Sequence, residues 1–459
     1  MEEPIVEALK NIVGEDWVIS DPELVKSYLE DETEIGVKPT PVQDVVVVKP
    51  VNAQEVSEIL KLANKEKIPV FVRGGGTGLA GGCIPTKSGI VMAMERMKEI
   101  EIDKENLMAI VGAGVTLGEL LETAEKEGFF FPPHPGDEGA QIGGLIACNA
   151  VGARAVRTGP MRNYVLGLEV VLPTGEILNL GGKLVKDNAS ANKLMHLFIG
   201  TEGIFGVITK AVIRLSPLYK ATATMIVPFD DRHKALNTVP KILQNGIVPL
   251  GVEYVEREVV EKSAKHLGLE WPVKEGEYFL MFMLGEYSEE ALYEELEAIA
   301  SICKENGSRE PVLAESSEEQ ARLLKIRSAI YEVLKPDMYD SPDVVVPPAN
   351  IGTLLDEIDK ISAKYGTYIP LTGHAADGNT HPSIMRMEGW SKEQYDKVEE
   401  EIYNAGLKLG GSITGEHGIG ETKKRYLKLV LGEAGVKLLR KLKETLDPNN
   451  ILNPGKVVP

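Results

Sequence analysis

The sequence predicts an α+β protein with more than one domain, and three features point that way. The chain has 459 residues, 43% of them hydrophobic, too long for one compact domain and enough to bury two or three cores. Strand-like apolar runs alternate with segments of helical periodicity from residue 45 onward. Near residue 218 the composition changes, and dense glycine loops give way to strands separated by charged helices, as in an antiparallel sheet covered by helices. The expected boundaries are 1–217 for a first domain, 218–415 for a second, and 416–459 for a tail that packs back on the first.

Taken in order, VVVVKP (45–50) reads as a buried strand and 53–66 as a helix. Asn52 is the candidate N-cap with Glu55 three positions later, and Val56, Ile59, Leu60 and Ala63 share one helical face. PVFVR (69–73) is a strand running into the glycine-rich RGGGTGLAGG (73–82). A helix near 116–127 precedes FFPPHPGDEGAQIGGLIACNAVGARAVRTGP (130–160), whose glycines let the backbone approach something closely. YVLGLEVVLPTGEILNLGG (164–182) is a strand, a turn and a second strand, and GTEGIFGVITKAVIRLSP (200–217) closes the first half. Beyond it, TATMIVPF (222–229) and EYFLMFML (277–284) are strands and SEEALYEELEAIASICKEN (288–306) is a helix.

The charge balance narrows the function. A formal net charge of −19 argues against nucleic acid as a partner, because phosphate binding needs a basic face. Cys83, Cys148 and Cys303 are too far apart for a disulfide framework or a CxxC metal pattern, which suits a reducing compartment. The acidic start lacks the features of a signal peptide, and no apolar run is long enough for a membrane span. The expectation is a cytoplasmic protein, with peripheral membrane attachment as the alternative.

Gly76-Thr77-Gly78-Leu79-Ala80-Gly81 matches G-x-G-x-x-G after a strand. A nicotinamide site would also need a helix opening at those glycines, and Pro85 and Gly89 break any such helix. A structural turn is one remaining reading. The preferred one is a loop of free N–H groups that cradles phosphate without a helix terminus.

VRGGGTGLAGG, PPHPGDEGAQIGGLIACNAVGARAVRTG, GLEVVLPTGE and GTEGIFGVIT resemble, in that order, the FAD-binding half of the vanillyl-alcohol-oxidase (PCMH-type) flavoproteins. With GHAADGNTH (373–381), GEHGIG (415–420) and DPNNILNPGK (447–456) added, residues 40–459 are similar to the FAD-linked D-2-hydroxyacid dehydrogenases. That family holds D-lactate dehydrogenase, the flavin-binding component of glycolate oxidase and D-2-hydroxyglutarate dehydrogenase. The resemblance implies a PCMH-type FAD domain of two α+β subdomains (core about 40–217) and an antiparallel-sheet cap domain over the flavin. By matching motifs, Arg73, Gly74, Gly75, Gly76, Thr77, Gly78, Leu79 and Gly82 would line the pyrophosphate. Pro133, Gly136, Ile142, Gly143, Gly144, Asn149 and Gly152 would follow the cofactor toward its ring. Gly203, Val207 and Ile208 would lie along the remainder, and Asn453 near the ring. Val151 stands where the family has glycine, RTG replaces KYG, and His134 sits where PPDP is usual. The phosphate loop contains no histidine, so the FAD is expected to be non-covalent.

GHAADGNTH can also be read physically. With Asp377-Gly378 as a two-residue hairpin loop, His374 would face His381 and both imidazoles would project to one side. The residues alone allow a polar turn or two metal ligands. Glu416 is the candidate third donor, and the resemblance assigns His374, His381 and Glu416 to a divalent cation, Zn²⁺ or Mn²⁺ with Fe²⁺ as a further option. His417 is the candidate base for a substrate hydroxyl. The resemblance places Arg327 on the substrate carboxylate, with Tyr331 and Asn379 as further substrate-site residues. No lysine matches the position before DVVVP (343–347) that serves a second carboxylate in the 2-hydroxyglutarate enzymes, which favours D-lactate or glycolate.

The expected reaction is oxidation of a D-2-hydroxy acid to the 2-oxo acid. Electrons would pass to an electron-transferring flavoprotein, an iron–sulfur subunit or a quinone, and a homodimer is among the expected assemblies. Two rival readings keep the fold: a non-redox transferase of the alkyl-dihydroxyacetonephosphate synthase type, and a flavoprotein subunit of a larger redox complex.

Overall fold

A computed structural model describes residues 2–185 and 192–459. Val18–Ile19, Val45–Val48, Gly89–Ala93 and Val70–Arg73 form a four-stranded sheet in that order, its last three strands parallel. All four valines of Val45–Val48 are buried, as enclosure on both faces of a parallel sheet requires. The crossover is the helix Ala53–Glu66, whose Asn52 cap accepts from the Glu55 N–H. A five-stranded antiparallel sheet follows, in the order Ile100–Asp103, Met108–Gly112, Val207–Arg214, Val165–Val171, Ile177–Gly181. No helix opens between residues 74 and 88, as Pro85 and Gly89 foretell.

The second half is organised by a seven-stranded sheet with every pairing antiparallel. Its order is Val312–Ala314, Ala221–Phe229, Tyr278–Glu286, Gly251–Glu256, Leu371–His374, Asn379–Pro382, Val344–Val345. The strand Tyr278–Glu286 is apolar without alternation because both faces are covered. Leu280 and Phe282 join one core with the helices Arg232–Gln244 and Glu289–Glu305. Phe279 and Met281 join another with Arg257–His266 and Ser317–Leu334.

Both chain ends tie the halves together. The Val70 N–H donates to the Ile451 carbonyl at 2.7 Å and Asn453 N–H returns to Val70 at 2.8 Å, so the tail docks on the first sheet. An N-terminal strap over residues 27–40 crosses the glycine loop: Glu32 N–H donates to Gly78 at 3.0 Å, and Thr33 Oγ1 accepts from Gly81 N–H at 2.7 Å. The same strap reaches the second half through a Glu32–Lys335 ion pair and a Tyr331–Glu34 hydrogen bond. Among the described residues no helix is long and apolar enough to cross a membrane.

Candidate active site

One wall of the site is backbone. The N–H groups of Gly74 to Leu79 donate to no described residue, leaving a run of free amides of the kind that holds phosphate. Opposite them the helix Ile142–Cys148 begins: a Cβ on Gly74 would lie 3.9 Å from Gly144 Cα, while one on Gly144 would meet nothing within 4 Å. Gln141 Oε1, at the same place, is buried without a partner. Free donors and unfilled room fit the pyrophosphate of FAD, whose oxygens accept, while the Gln141 acceptor is open to a donor elsewhere on the cofactor. Gly143 packs instead on Ala113, Gly152 lies under the His134 carbonyl, and Pro133 is buried beside the exposed Gly136.

Several residues expected here turn away from the slot. The Arg73 guanidinium donates to the carbonyls of Glu30 and Ser27, so its side chain holds the strap while only its backbone borders the glycine loop. Val207 and Ile208 are buried in hydrophobic cores. Asn149 caps a helix in the left-handed region and accepts from Arg162 N–H at 2.9 Å. Asn453 bridges Val72 N–H at 2.9 Å and the Glu202 carbonyl at 3.0 Å, beside Gly203. Glu202 also accepts from Ile419 and Gly420 N–H at 2.7 and 2.8 Å and lies against Gly82, joining the FAD half to the loop that carries Glu416.

The other wall is made of ionisable side chains. The hairpin pairs His374 with Asn379 and Thr372 with His381, around a four-residue turn from Ala375 to Gly378. The expected two-residue loop with His374 facing His381 is therefore corrected. Gly378 donates to His374 O at 3.1 Å and sits at φ +87°, where a Cβ would strike the Val346 carbonyl, so the turn is set by the neighbouring strand. The register differs from expectation by two residues, and only odd slips reverse a strand's faces. The rings still converge, on a diagonal, with centroids 5.4 Å apart.

Glu416 Oε1 completes the group, 3.1 Å from His381 Nε2 and 3.5 Å from His374 Nε2. Two imidazole nitrogens and a carboxylate oxygen fit a divalent cation of the Zn²⁺ or Mn²⁺ kind. Burial opposes charge on His374, but the Glu253 and Glu416 carboxylates outweigh it and hold its pKa well above the usual range. Burial opposes charge on Glu416 as well, and the two histidines hold it well below. A proton and a cation thus compete for the same nitrogens.

His417 stacks on His381, with ring centroids 5.2 Å apart. Burial pushes its pKa down to about 4, so the ring is neutral at pH 7 and able to accept a proton. Asp343 aims the loop that bears it. Its Oδ2 accepts from the N–H groups of Gly415, Glu416 and His417 at 2.8, 2.9 and 2.8 Å and from the Thr414 hydroxyl at 2.7 Å. Its Oδ1 accepts from Asn379 Nδ2 at 2.7 Å, which leaves the buried Asn379 Oδ1 without a partner. Burial alone would raise Asp343, yet His417, Lys423 and His381 with the Asn379 amide hold it well below the usual range.

Arg327 ion-pairs through Nε with the buried Glu253, whose other oxygen lies 2.6 Å from His374 Nδ1. Arg327 Nη2 is buried without a hydrogen-bond partner, which leaves it a donor for an anion. Tyr331 donates to Glu34 at 3.1 Å, and burial pushes Glu34 up to about 7. Glu253, Asp343, Glu34 and Lys423 escaped the sequence reading. A signal was present for the first two, since an acid inside VEYVE or heading DVVVP can be buried only if it is paired.

Residues 218–457 match the family model described as FAD linked oxidases, C-terminal domain, and residues 45–181 match the FAD binding domain. The chain is 43% identical over 432 residues to D-lactate dehydrogenase of Archaeoglobus fulgidus, covering 94% of this chain and 95% of that one. It is 37% identical over 422 residues to glycolate oxidase subunit GlcD of Bacillus subtilis, covering 90% of this chain and 88% of that one. The fold is shared with 4-ethylphenol oxidase from Gulosibacter chungangensis, with a TM-score of 0.77 and 18% identity over 99% of this chain and 96% of that one. An alkyldihydroxyacetonephosphate synthase shares it too, with a TM-score of 0.76 and 19% identity over 99% of this chain and 86% of that one. With the amide cradle and the cap sheet in place, the chain belongs to the FAD-linked D-2-hydroxyacid dehydrogenase family and is an FAD-linked oxidoreductase.

Proposed function

We propose that the protein oxidises a D-2-hydroxy acid, D-lactate or glycolate, to the 2-oxo acid, with a divalent cation held by His374, His381 and Glu416. One observation carries this reading: three convergent metal donors lie beside a neutral imidazole, and one of them shares a carboxylate with a guanidinium that has a free N–H. Bound FAD supplies a two-electron acceptor, and a divalent cation supplies a Lewis acid for the substrate oxygen.

The chain's own residues do the rest. Arg327 binds the substrate carboxylate through Nη2 and orients the substrate. A ring nitrogen of His417 takes the hydroxyl proton, which it can do because burial keeps the ring neutral. Asp343 holds Glu416 and His417 on one loop, so ligand and base keep a constant spacing. Ser341 and Pro342 precede Asp343 where a lysine would serve a second carboxylate, which supports a monocarboxylate substrate. Cys83, Cys148 and Cys303 form no iron–sulfur ligand set, so electrons pass from the flavin to a protein acceptor (an electron-transferring flavoprotein or an iron–sulfur subunit) or to a quinone.

The test is anaerobic reduction of the flavin band near about 450 nm by D- and L-2-hydroxy acids, before and after chelation. D-lactate or glycolate should bleach it, chelation should abolish the bleaching, and Zn²⁺ or Mn²⁺ should restore it. No bleaching by any of the acids, or bleaching indifferent to chelation, sinks the proposal.

A further inference from the structure

Glu253 is fully buried in the strand Gly251–Glu256, at the centre of the cap sheet. Its Cα is paired with that of His374 across the ladder, so the backbone register sends both side chains to one face. Oε1 lies 2.6 Å from His374 Nδ1, and Oε2 ion-pairs with Arg327 Nε on the helix Ser317–Leu334. A single carboxylate therefore touches both a donor of the metal group and the guanidinium offered to the substrate.

We infer that Glu253 is a positioning residue that couples the metal-binding imidazole of His374 to the substrate-binding guanidinium of Arg327, an inference that rests on the reaction proposed above. Engaging Nδ1 leaves Nε2 as the ligating atom of His374 and fixes the plane of its ring. The ion-pair contact at Nε holds the guanidinium in place without a hydrogen bond, and the buried Nη2, also without a partner, can donate to the substrate. In a 2-hydroxy acid the hydroxyl-bearing carbon is bonded directly to the carboxylate carbon. Cation and guanidinium must therefore stand at a matched spacing, and Glu253 sets it. A carboxylate that merely neutralised buried charge would not transmit a change at Arg327 to the metal.

The experiment uses the FAD-loaded protein as wild type, Glu253→Gln, Arg327→Lys and the double variant. Zn²⁺ affinity is measured by titration after chelation, and KM and kcat for D-lactate by flavin reduction at saturating Zn²⁺. Glu253→Gln should weaken Zn²⁺ about 10- to 100-fold and raise KM for D-lactate even at saturating Zn²⁺. Arg327→Lys, which alters no metal donor, should weaken Zn²⁺ several-fold in the wild-type background and have no effect on it beside Glu253→Gln. Unchanged Zn²⁺ affinity and KM in Glu253→Gln, or strictly additive effects, overturn the coupling. Should Glu253→Gln fail to fold, Arg327→Lys decides alone, and wild-type Zn²⁺ affinity in it overturns the inference. A wild-type protein that binds no Zn²⁺ and is reduced by no 2-hydroxy acid sinks the reaction and the coupling together. One that does both while its variants match it sinks the coupling only.

Discussion

Backbone amides build the cofactor slot, whereas ionised side chains build the cap site, and the two tolerate change differently. Around Gly74 to Leu79 the donors are N–H groups, and the nearest guanidinium, Arg73, is spent on the carbonyls of Ser27 and Glu30. In the cap, Glu253, Asp343, Glu416 and His374 sit within one polar cluster, where each charge has a partner, beside the neutral His417. Removing one member of a buried ion pair strands the other, at a cost of about 3–5 kcal/mol. An amide cradle contains no such pairs, and what harms it is volume. The slot should therefore be sensitive to added atoms and the cap to lost charge.

The largest expected effect is at His417. His417→Gln should lower kcat about 10²- to 10⁴-fold while leaving flavin content unchanged, as read by stopped-flow reduction and by the visible spectrum. Because burial holds the imidazole near 4, the wild-type rate at saturating cation should fall as pH drops through that value, when the base becomes protonated. A loss of FAD in this variant would break the division between the two walls.

A second effect comes from Glu34, whose folded pKa of about 7 lies above its ordinary 4.5. The folded protein keeps a proton that the unfolded chain releases. This contribution to stability is full below the unfolded value and is lost as pH rises through about 7. It amounts to something on the order of 3 kcal/mol. Thermal melting from acid to mildly alkaline pH should show a smaller loss of stability in Glu34→Gln, and a parallel loss in both proteins would refute it.

Arg327→Lys removes the fork that a carboxylate needs, so KM for D-lactate should rise about ten- to a hundredfold with a smaller change in kcat. Equal losses in the two parameters would mean that Arg327 acts in the chemical step instead.

The smallest effects sharpen the slot itself. A methyl at Gly143 would lie 2.7 Å from Ala113 Cβ, so Gly143→Ala should destabilise the flavin-free protein by about 1–3 kcal/mol. Gly144→Ala meets nothing and should raise flavin-free stability by about 0.5–1 kcal/mol, yet weaken FAD because it fills the cofactor's room. Wild-type FAD affinity in Gly144→Ala, measured by flavin titration, would remove Gly144 from the slot.

Local patterns determined much of this protein from sequence alone. Asn52 and the face from Val56 to Ala63 marked the first crossover helix, Pro85 and Gly89 marked the place where no helix could follow the glycines, and the seven ordered segments marked the flavoprotein fold. The three side chains that converge as candidate metal donors were legible as well, because their motifs are short and local. Tertiary structure decided the register that pairs His374 with Asn379, the turning of Arg73 to the strap, and the attachment of Asp343 and Glu253 to residues far along the chain. The physical reason is the range of the forces. Caps, turns and periodicity act over a few residues and are written in neighbouring letters. A buried charge must find its partner wherever the packing of sheets and helices brings one, and no local pattern names it.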